Sequence, residues 1–267
     1  MTLAQASILH FDGKREMAKK RVQKLKAAGF IVEKPRGFSD PSILFLGVKG
    51  YRLLAAAGLL ANYPPLSLST WEKRARVSDL TLRHELAVMD AKAAIVTVIR
   101  KTTRYRVRQF STWPKLNEFQ AVRRDGLPVI VKPDGFMRII EDGADGYPYE
   151  HAFFLEVDRS TESSPVLLER CHGYLHYYRS GGFARRNGGS ADDFKSYPFR
   201  VLLVCKSKER VRNIARALYT GTPSIQTQVL LITLDKLIAA PLGAVWFTPK
   251  AITNGTAAEQ LLGHGSD

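Results

Sequence analysis

The stretch KPDGFMRII (residues 132–140) lies between two apolar runs and places one acidic residue, Asp134, between a proline and a glycine. Pro-Asp-Gly is a common turn sequence, because Pro fixes φ, Asp bonds its own backbone and Gly accepts a positive φ. The simplest prediction is therefore a hairpin turn after the run Val129–Val131. The alternative is a metal-binding carboxylate held at the edge of a strand.

Acidic residues about twenty positions later favour the second prediction. The continuous apolar run Ala152–Val157 predicts a buried strand, and Glu156 and Asp158 lie two apart, on one face at its end. Carboxylates gathered on one face are unfavourable unless a cation compensates them. Mg²⁺ and Mn²⁺ prefer such oxygen ligands. The pattern therefore predicts a metal site formed by Asp134, Glu156 and Asp158, although Arg159 offers a simpler partner for these acids.

The charge of the whole chain points to a polyanionic partner. Forty Lys and Arg against 25 Asp and Glu give 267 residues a net charge of +15 and a pI of about 9.9. Nucleic acid is the expected partner, and a membrane surface is not, because the basic segments lack a large amphipathic helix with aromatic residues. No signal peptide or apolar run of ~20 residues is present, and Cys171 and Cys205 suit a reducing compartment. We therefore expect a cytoplasmic protein.

The N-terminal segment predicts a DNA-binding module over residues 1–62. A short helix at 2–10, a basic helix at 14–30, two strands around a basic loop and a helix at 48–60 form the order of a winged helix-turn-helix. In such modules the second helix enters the major groove and the wing contacts the backbone. A solvated basic face is the alternative. The predicted DNA contacts are Lys14, Arg15, Lys19, Lys20, Arg21, Lys24, Lys34 and Arg36.

The rest of the chain predicts an α/β domain over residues 75–250. A Pro/Ser-rich connector at 61–73 precedes a long helix at 78–101, on which His84 and Asp90 are polar candidates for a supporting role. Apolar strands then alternate with helices, which predicts a mixed sheet flanked by helices. Residues 251–267 are predicted to form a flexible tail.

Tyrosines and histidines near residue 174 suggest a different chemistry. Tyr174, Tyr177 or Tyr178 could attack DNA as a nucleophile, with His172 and His176 as a metal pair four residues apart on one helix. Packing is the alternative explanation for all five residues.

Several longer segments resemble one family. The run from KPDGFMRI through FFLEVDRSTES, LLERCHGYLHYY and YPFRVLLVCKSKERVRNIARAL to PLGAVWFTP closely resembles the plasmid replication-relaxation family, which is related to MobC-type relaxases. The resemblance covers roughly residues 10–248. It implies a winged helix joined to a PD-(D/E)xK (restriction-endonuclease-like) core, and hence DNA cleavage that depends on Mg²⁺ or Mn²⁺.

The resemblance also implies roles for individual residues. Asp134 matches the Asp of the nuclease motif and Glu156 its Glu, whereas Asp158 stands where that motif has Lys. The basic group would then come from Arg170, which stabilises charge but cannot act as a general base at neutral pH. Three further residues support the site by this resemblance: Thr161, Glu162 and Tyr174.

Two functions follow from these patterns. The first is an endonuclease or relaxase-like enzyme of a plasmid or other mobile element, which nicks DNA for replication or transfer. The second is a regulator of plasmid replication, transfer or transcription that binds DNA but has lost cleavage. The expected partners are double-stranded DNA at an origin of transfer or replication, the element's own transfer or replication proteins, and a second copy of the chain.

Overall fold

The computed structural model describes residues 1–34, 41–61, 63–64, 78–160 and 162–262. The chain divides into two compact units, Met1–Thr97 and Val98–Asp267. This division differs from the predicted domains, because the helix expected to open the second domain belongs mainly to the first unit. Across the described ranges, every helix is too short or too polar to cross a bilayer.

The first unit has the predicted order of helix, helix, strand pair and helix, followed by one long helix. Its elements are α1 (Leu3–His10), α2 (Arg15–Ala27), β1 (Ile31–Glu33), β2 (Leu44–Leu46), α3 (Val48–Ala56) and α4 (Asp79–Ile99). Strands β1 and β2 pair antiparallel. Of α2, only Ala18 and Val22 are buried, because its remaining positions are charged or polar with few exceptions. Ala18 and Val22 are four residues apart and so lie on one side of the helix, which makes α2 amphipathic.

Two glycines allow α3 to begin against the end of α2. A Cβ at Gly50 would overlap the Phe30 carbonyl oxygen and lie 2.7 Å from Leu46 Cδ1. A Cβ at Gly47 would lie 2.8 Å from the Gly29 carbonyl oxygen. Such distances leave room for hydrogen only, so the sequence LGVKG is explained by close backbone approach.

Asp90 has a structural partner in the first unit. The Gln5 amide donates to Asp90 Oδ1 at 2.6 Å and to the Leu86 carbonyl oxygen at 2.9 Å. Gln5 also takes part in the capping box that begins α1. Asp90 therefore ties α1 to α4, and His84 lies on α4 as well.

The second unit contains a five-stranded mixed sheet. Its elements are β3 (Tyr105–Thr112), β4 (Phe119–Val122), β5 (Pro128–Val131), β6 (Gly135–Asp142), β7 (Pro148–Asp158), α5 (Ser164–Arg179), α6 (Gly182–Arg186), a 3₁₀ turn (Asp192–Ser196), β8 (Arg200–Cys205), α7 (Lys208–Thr220), β9 (Val229–Thr233), α8 (Leu234–Ala239) and α9 (Pro249–Asn254). The sheet order is β3-β6-β7-β8-β9. β6 runs antiparallel to both neighbours, whereas β7, β8 and β9 are parallel. The predicted mixed α/β architecture is thus confirmed.

The predicted hairpin after Val131 is wrong. β5 pairs with β4 in a separate two-stranded sheet, whereas β6 pairs with β3 and β7. Pro133-Asp134-Gly135 therefore carries the chain from one sheet into another. The Asp134 side chain accepts a hydrogen bond from the Val157 amide at 2.7 Å, so it anchors this crossover to β7 instead of closing a turn.

The core of the second unit lies between the sheet and helices α5 and α7. Aromatic rings from α5 and the strands form much of it. The ring centres of Tyr174 and Phe154 are 5.1 Å apart, and the stacked rings of Tyr177 and Phe119 have centres 4.0 Å apart. β8 and β9 are continuous apolar runs, and both are buried along nearly their whole length, as expected of central parallel strands.

The segment predicted as a flexible tail is packed as far as Leu262. It begins inside α9, where Ala251 is buried, continues through the exposed residues 253–257, and its described part ends at the buried pair Leu261 and Leu262. Glu259 accepts from Arg200 at 2.5 Å and pairs through its backbone with Trp246. The difference from the prediction is explained by Leu261 and Leu262, because these two apolar side chains are buried in the second unit.

Candidate functional site

Glu156 lies at the centre of the candidate site, near the end of β7. It is 1% exposed. Its Oε1 accepts from the Tyr174 hydroxyl at 2.6 Å and its Oε2 from Arg170 Nη1 at 3.0 Å. Arg170 in turn donates to Glu162 Oε1 at 2.7 Å. Arg170 and Tyr174 are four residues apart on α5, so one helical face supplies both donors.

Burial controls the ionisation of this group. Burial and the charge of Asp134 raise the pKa of Glu156 to about 8, against the opposing effects of Arg170 and Tyr174. Burial also raises the pKa of the Tyr174 hydroxyl well above its usual value, and the charge of Glu156 adds to this. For Arg170 burial lowers the pKa, but the charges of Glu156 and Glu162 outweigh it and the net direction is upward.

Tyr174 is not placed to act as a nucleophile. It is 0% exposed and its hydroxyl is engaged with Glu156. A buried, protonated phenol can neither reach a phosphodiester nor attack it. Tyr177 is buried among aromatic rings, and His172 is buried on the same helix. The packing explanation therefore accounts for these residues.

Asp134 lies beside Glu156 and is half-buried. Its Oδ2 accepts from the Val157 amide, one residue after Glu156. The position just before β6 and the bond to β7 bring the two carboxylates together, as the sequence predicted.

Asp158 belongs to a separate ion pair with Arg210 of α7. Arg210 Nε donates to Asp158 Oδ2 at 2.6 Å, and its other nitrogens donate to Ser164 Oγ at 2.7 Å and the Glu162 carbonyl oxygen at 2.8 Å. The Asp158 side chain is 2% exposed. Arg210 was not among the site residues predicted from the sequence. One signal could have indicated this pair. Arg210 lies in the first turn of α7, just after β8, and β8 pairs with β7, where Asp158 ends the strand.

The three predicted carboxylates are not clustered together in this arrangement. Within the described residues, no three His, Cys, Asp or Glu side chains are grouped so that they could hold a metal ion. The donor set explains this, since Glu156 is bonded to Arg170 and Asp158 to Arg210. Arg170 and Arg210 thus contact carboxyl oxygens that the sequence assigned to Mg²⁺ or Mn²⁺. Thr161 lies outside the described residues.

The first unit presents a cationic helix face. All seven Lys and Arg residues from Lys14 to Lys26 are exposed. Lys26 pairs with Glu33. Among the residues that the structure describes, the other six have no ion-pair partner: Lys14, Arg15, Lys19, Lys20, Arg21 and Lys24. Lys34 pairs with Asp79 at 2.8 Å, and Arg36 is outside the described residues.

Comparison with known proteins gives one result. No curated protein and no solved structure matches the chain. A family model described as Replication-relaxation matches residues 1–192, which is more than half of the chain. The matched part includes the cationic face of α2 and the whole group around Glu156. On this evidence the protein belongs to the replication-relaxation family.

Proposed function

We propose that this protein binds double-stranded DNA of a plasmid or other mobile element and acts in its replication or transfer. The family supports the role in a mobile element. The exposed cations of α2 support DNA as the partner, and they are the observation that carries the proposal. DNA binding would place the protein in the cytoplasm, with the element itself.

The order of elements suggests how DNA is bound. α2 is the second helix and precedes the β1–β2 pair, as in a winged helix-turn-helix, where the second helix enters the major groove. When Lys19, Lys20 and Lys24 contact phosphates, the counterions of those phosphates are released into solution. These side chains have no ion pair within the described structure, so none has to be broken first. The buried side of α2 then holds it on its unit through Ala18 and Val22.

The network around Glu156 favours binding over cleavage. Cleavage requires a group that reaches the phosphodiester, yet Glu156 is buried and bonded to two donors. Asp158 stands where the nuclease motif has its Lys and is neutralised by Arg210. We infer that these residues hold β7, α5 and α7 together and that the chain acts by recognising DNA.

The test is DNA binding as a function of salt. We expect Lys19→Ala, Lys20→Ala, Arg21→Ala and Lys24→Ala together to weaken binding of a plasmid duplex and to lower the slope of log K against log salt by about 0.9 per lost phosphate contact. The matched control removes four exposed cations of the second unit: Lys195, Lys206, Arg216 and Lys250. Equal losses in both variants would show that net charge alone binds DNA and would overturn the role of α2.

Metal-dependent nicking is the second candidate function. The half-buried Asp134 beside Glu156 favours it, because these two positions match the acidic residues of the nuclease motif. They are the residues that would bind Mg²⁺ or Mn²⁺. Supercoiled plasmid is incubated with either ion or with EDTA, using the natural chain and Asp134→Asn, whose amide oxygen can still accept from Val157. Nicking that requires the ion and is lost in Asp134→Asn would establish this activity and contradict a pure binding role.

A further inference from the structure

A cleft in the second unit lies entirely beyond residue 192, where the family match ends. Its volume is about 410 Å³, within the range of ~300–1,000 Å³ that small-molecule sites occupy. It opens at the carboxyl end of β9, between the first turns of α7, the start of α8 and the region of α9. Ligands of open α/β sheets commonly bind at the carboxyl ends of the strands.

The floor of the cleft is apolar and includes one aromatic ring. Val211, Ile232, Ala251 and Ile252 form it together with Phe247. Phe247 is half-buried, so part of its ring remains accessible. Lys236 Nζ lies 5.8 Å from the centre of that ring. A flat ligand that stacks on Phe247 would therefore lie next to the Lys236 ammonium group, which sits over the same ring.

The rim of the cleft is cationic. Lys208, Arg212 and Lys236 line it, and no Asp or Glu is among the described residues that do so. Lys208 and Arg212 are four residues apart and exposed on one face of α7. Asp235, which adjoins Lys236 in the sequence, is exposed and does not line the cleft. The rim thus carries a net charge of +3 from these cations toward any ligand.

We propose that this cleft binds a nucleotide of single-stranded DNA, with the base on Phe247 and the phosphates on Lys208, Arg212 and Lys236. An apolar aromatic floor under a cationic rim matches the two parts of a nucleotide, and stacking of bases on aromatic rings together with cationic grooves is how single strands are bound. This inference deepens the proposed function, since DNA under replication or transfer exposes single strands. It uses a different unit from α2, so each can fail alone.

The experiment measures binding of a fluorescein-labelled dT12 oligonucleotide to the full chain. We expect Phe247→Leu, which keeps the floor apolar, to weaken binding roughly tenfold, the size of one lost base stack. Lys208→Ala with Lys236→Ala should weaken it and lower the salt slope by about 0.7 per lost phosphate contact. The control pair, Lys195→Ala with Lys250→Ala, removes the same charge from exposed positions outside the cleft and should leave binding nearly unchanged.

Two further measurements identify the ligand and guard against misfolding. Duplex binding, which α2 governs, should stay at the parental value in the cleft variants, and ultraviolet crosslinking of dT12 should map to the peptide that contains Phe247. Competition by free dTMP as strong as by dT12 would assign the cleft to a free nucleotide and overturn the single-strand proposal. Unchanged dT12 binding in both the Phe247 and the lysine variants would also overturn it.

Discussion

Glu156 couples the stability of the second unit to pH. Burial and the charge of Asp134 raise its pKa to about 8, from roughly 4.3 in an unfolded chain. The folded state therefore holds the proton more tightly. Its contribution is complete below the unfolded pKa and is lost as pH rises from about 4.3 to about 8. In the natural chain, we expect the unfolding free energy to fall by on the order of a few kcal/mol as pH rises across this window. Glu156→Gln does not titrate, so this fall should be absent from that variant.

The measurement is urea unfolding at pH 5, 6, 7 and 8 in EDTA, for the natural chain and for Glu156→Gln. The difference in stability between them should shrink, or reverse, as pH rises. Glu162→Gln is the control, because this carboxylate is more exposed and also contacts Arg170. Parallel pH profiles for the natural chain and Glu156→Gln would show that Glu156 is ionised throughout.

Arg210 compensates the buried charge of Asp158. Among the described contacts, Asp158 has no other charged partner. Replacement by Gln would leave the carboxylate, with a side chain 2% exposed, without a cation, and would remove two further hydrogen bonds to Ser164 and Glu162. Breaking a buried pair from one side costs about 3–5 kcal/mol. We expect a loss of that size in urea unfolding. Arg216→Gln on the exposed face of the same helix should change stability by less than about 0.5 kcal/mol.

At the scale of the element, α3 depends on a glycine where a helix ordinarily prefers alanine. Gly→Ala in a helix interior stabilises by about 0.5–1 kcal/mol. At Gly50 the added methyl would meet the Phe30 carbonyl oxygen and Leu46 Cδ1, and overpacking of this kind costs about 1–3 kcal/mol. We therefore expect Gly50→Ala to destabilise the first unit and to raise hydrogen exchange in α3. Arg52→Ala, an exposed change on the same helix, should not do so. Slower exchange in Gly50→Ala would contradict the close approach.

Elements with a clear hydrophobic period could be predicted from the sequence with small errors in their ends. The basic helix was expected at 14–30 and occupies Arg15–Ala27, because Ala18 and Val22 mark its buried side. The Gly-rich segment 180–193 forms α6 and leads into a 3₁₀ turn, although its glycines alone would favour a loop. Phe183 explains the difference, since it is 4% exposed within the aromatic core.

At the scale of the whole molecule, the second unit needs strands beyond the part that the family model matches. β8 lies between β7 and β9, and Val201–Val204 are 0% exposed. A chain that ends at residue 192 would expose one edge and much of the apolar surface of β7. We expect this truncation to lose cooperative unfolding in the second unit and to lose protection of the β7 amides in hydrogen exchange. Retained protection of Phe153–Leu155 would contradict this role of β8.

The sequence by itself determined the elements with a clear hydrophobic period and the basic character of α2, since periodicity and charge are local properties. It did not determine which partner each acid has. Asp158 and Arg210 are 52 residues apart, and Asp134 and Val157 are 23 apart. Only the order of strands, in which β5 pairs with β4 and β8 lies beside β7, brings these groups together. That order depends on packing of whole faces, so the tertiary structure alone decided that Arg170 and Arg210 contact the acids at the end of β7.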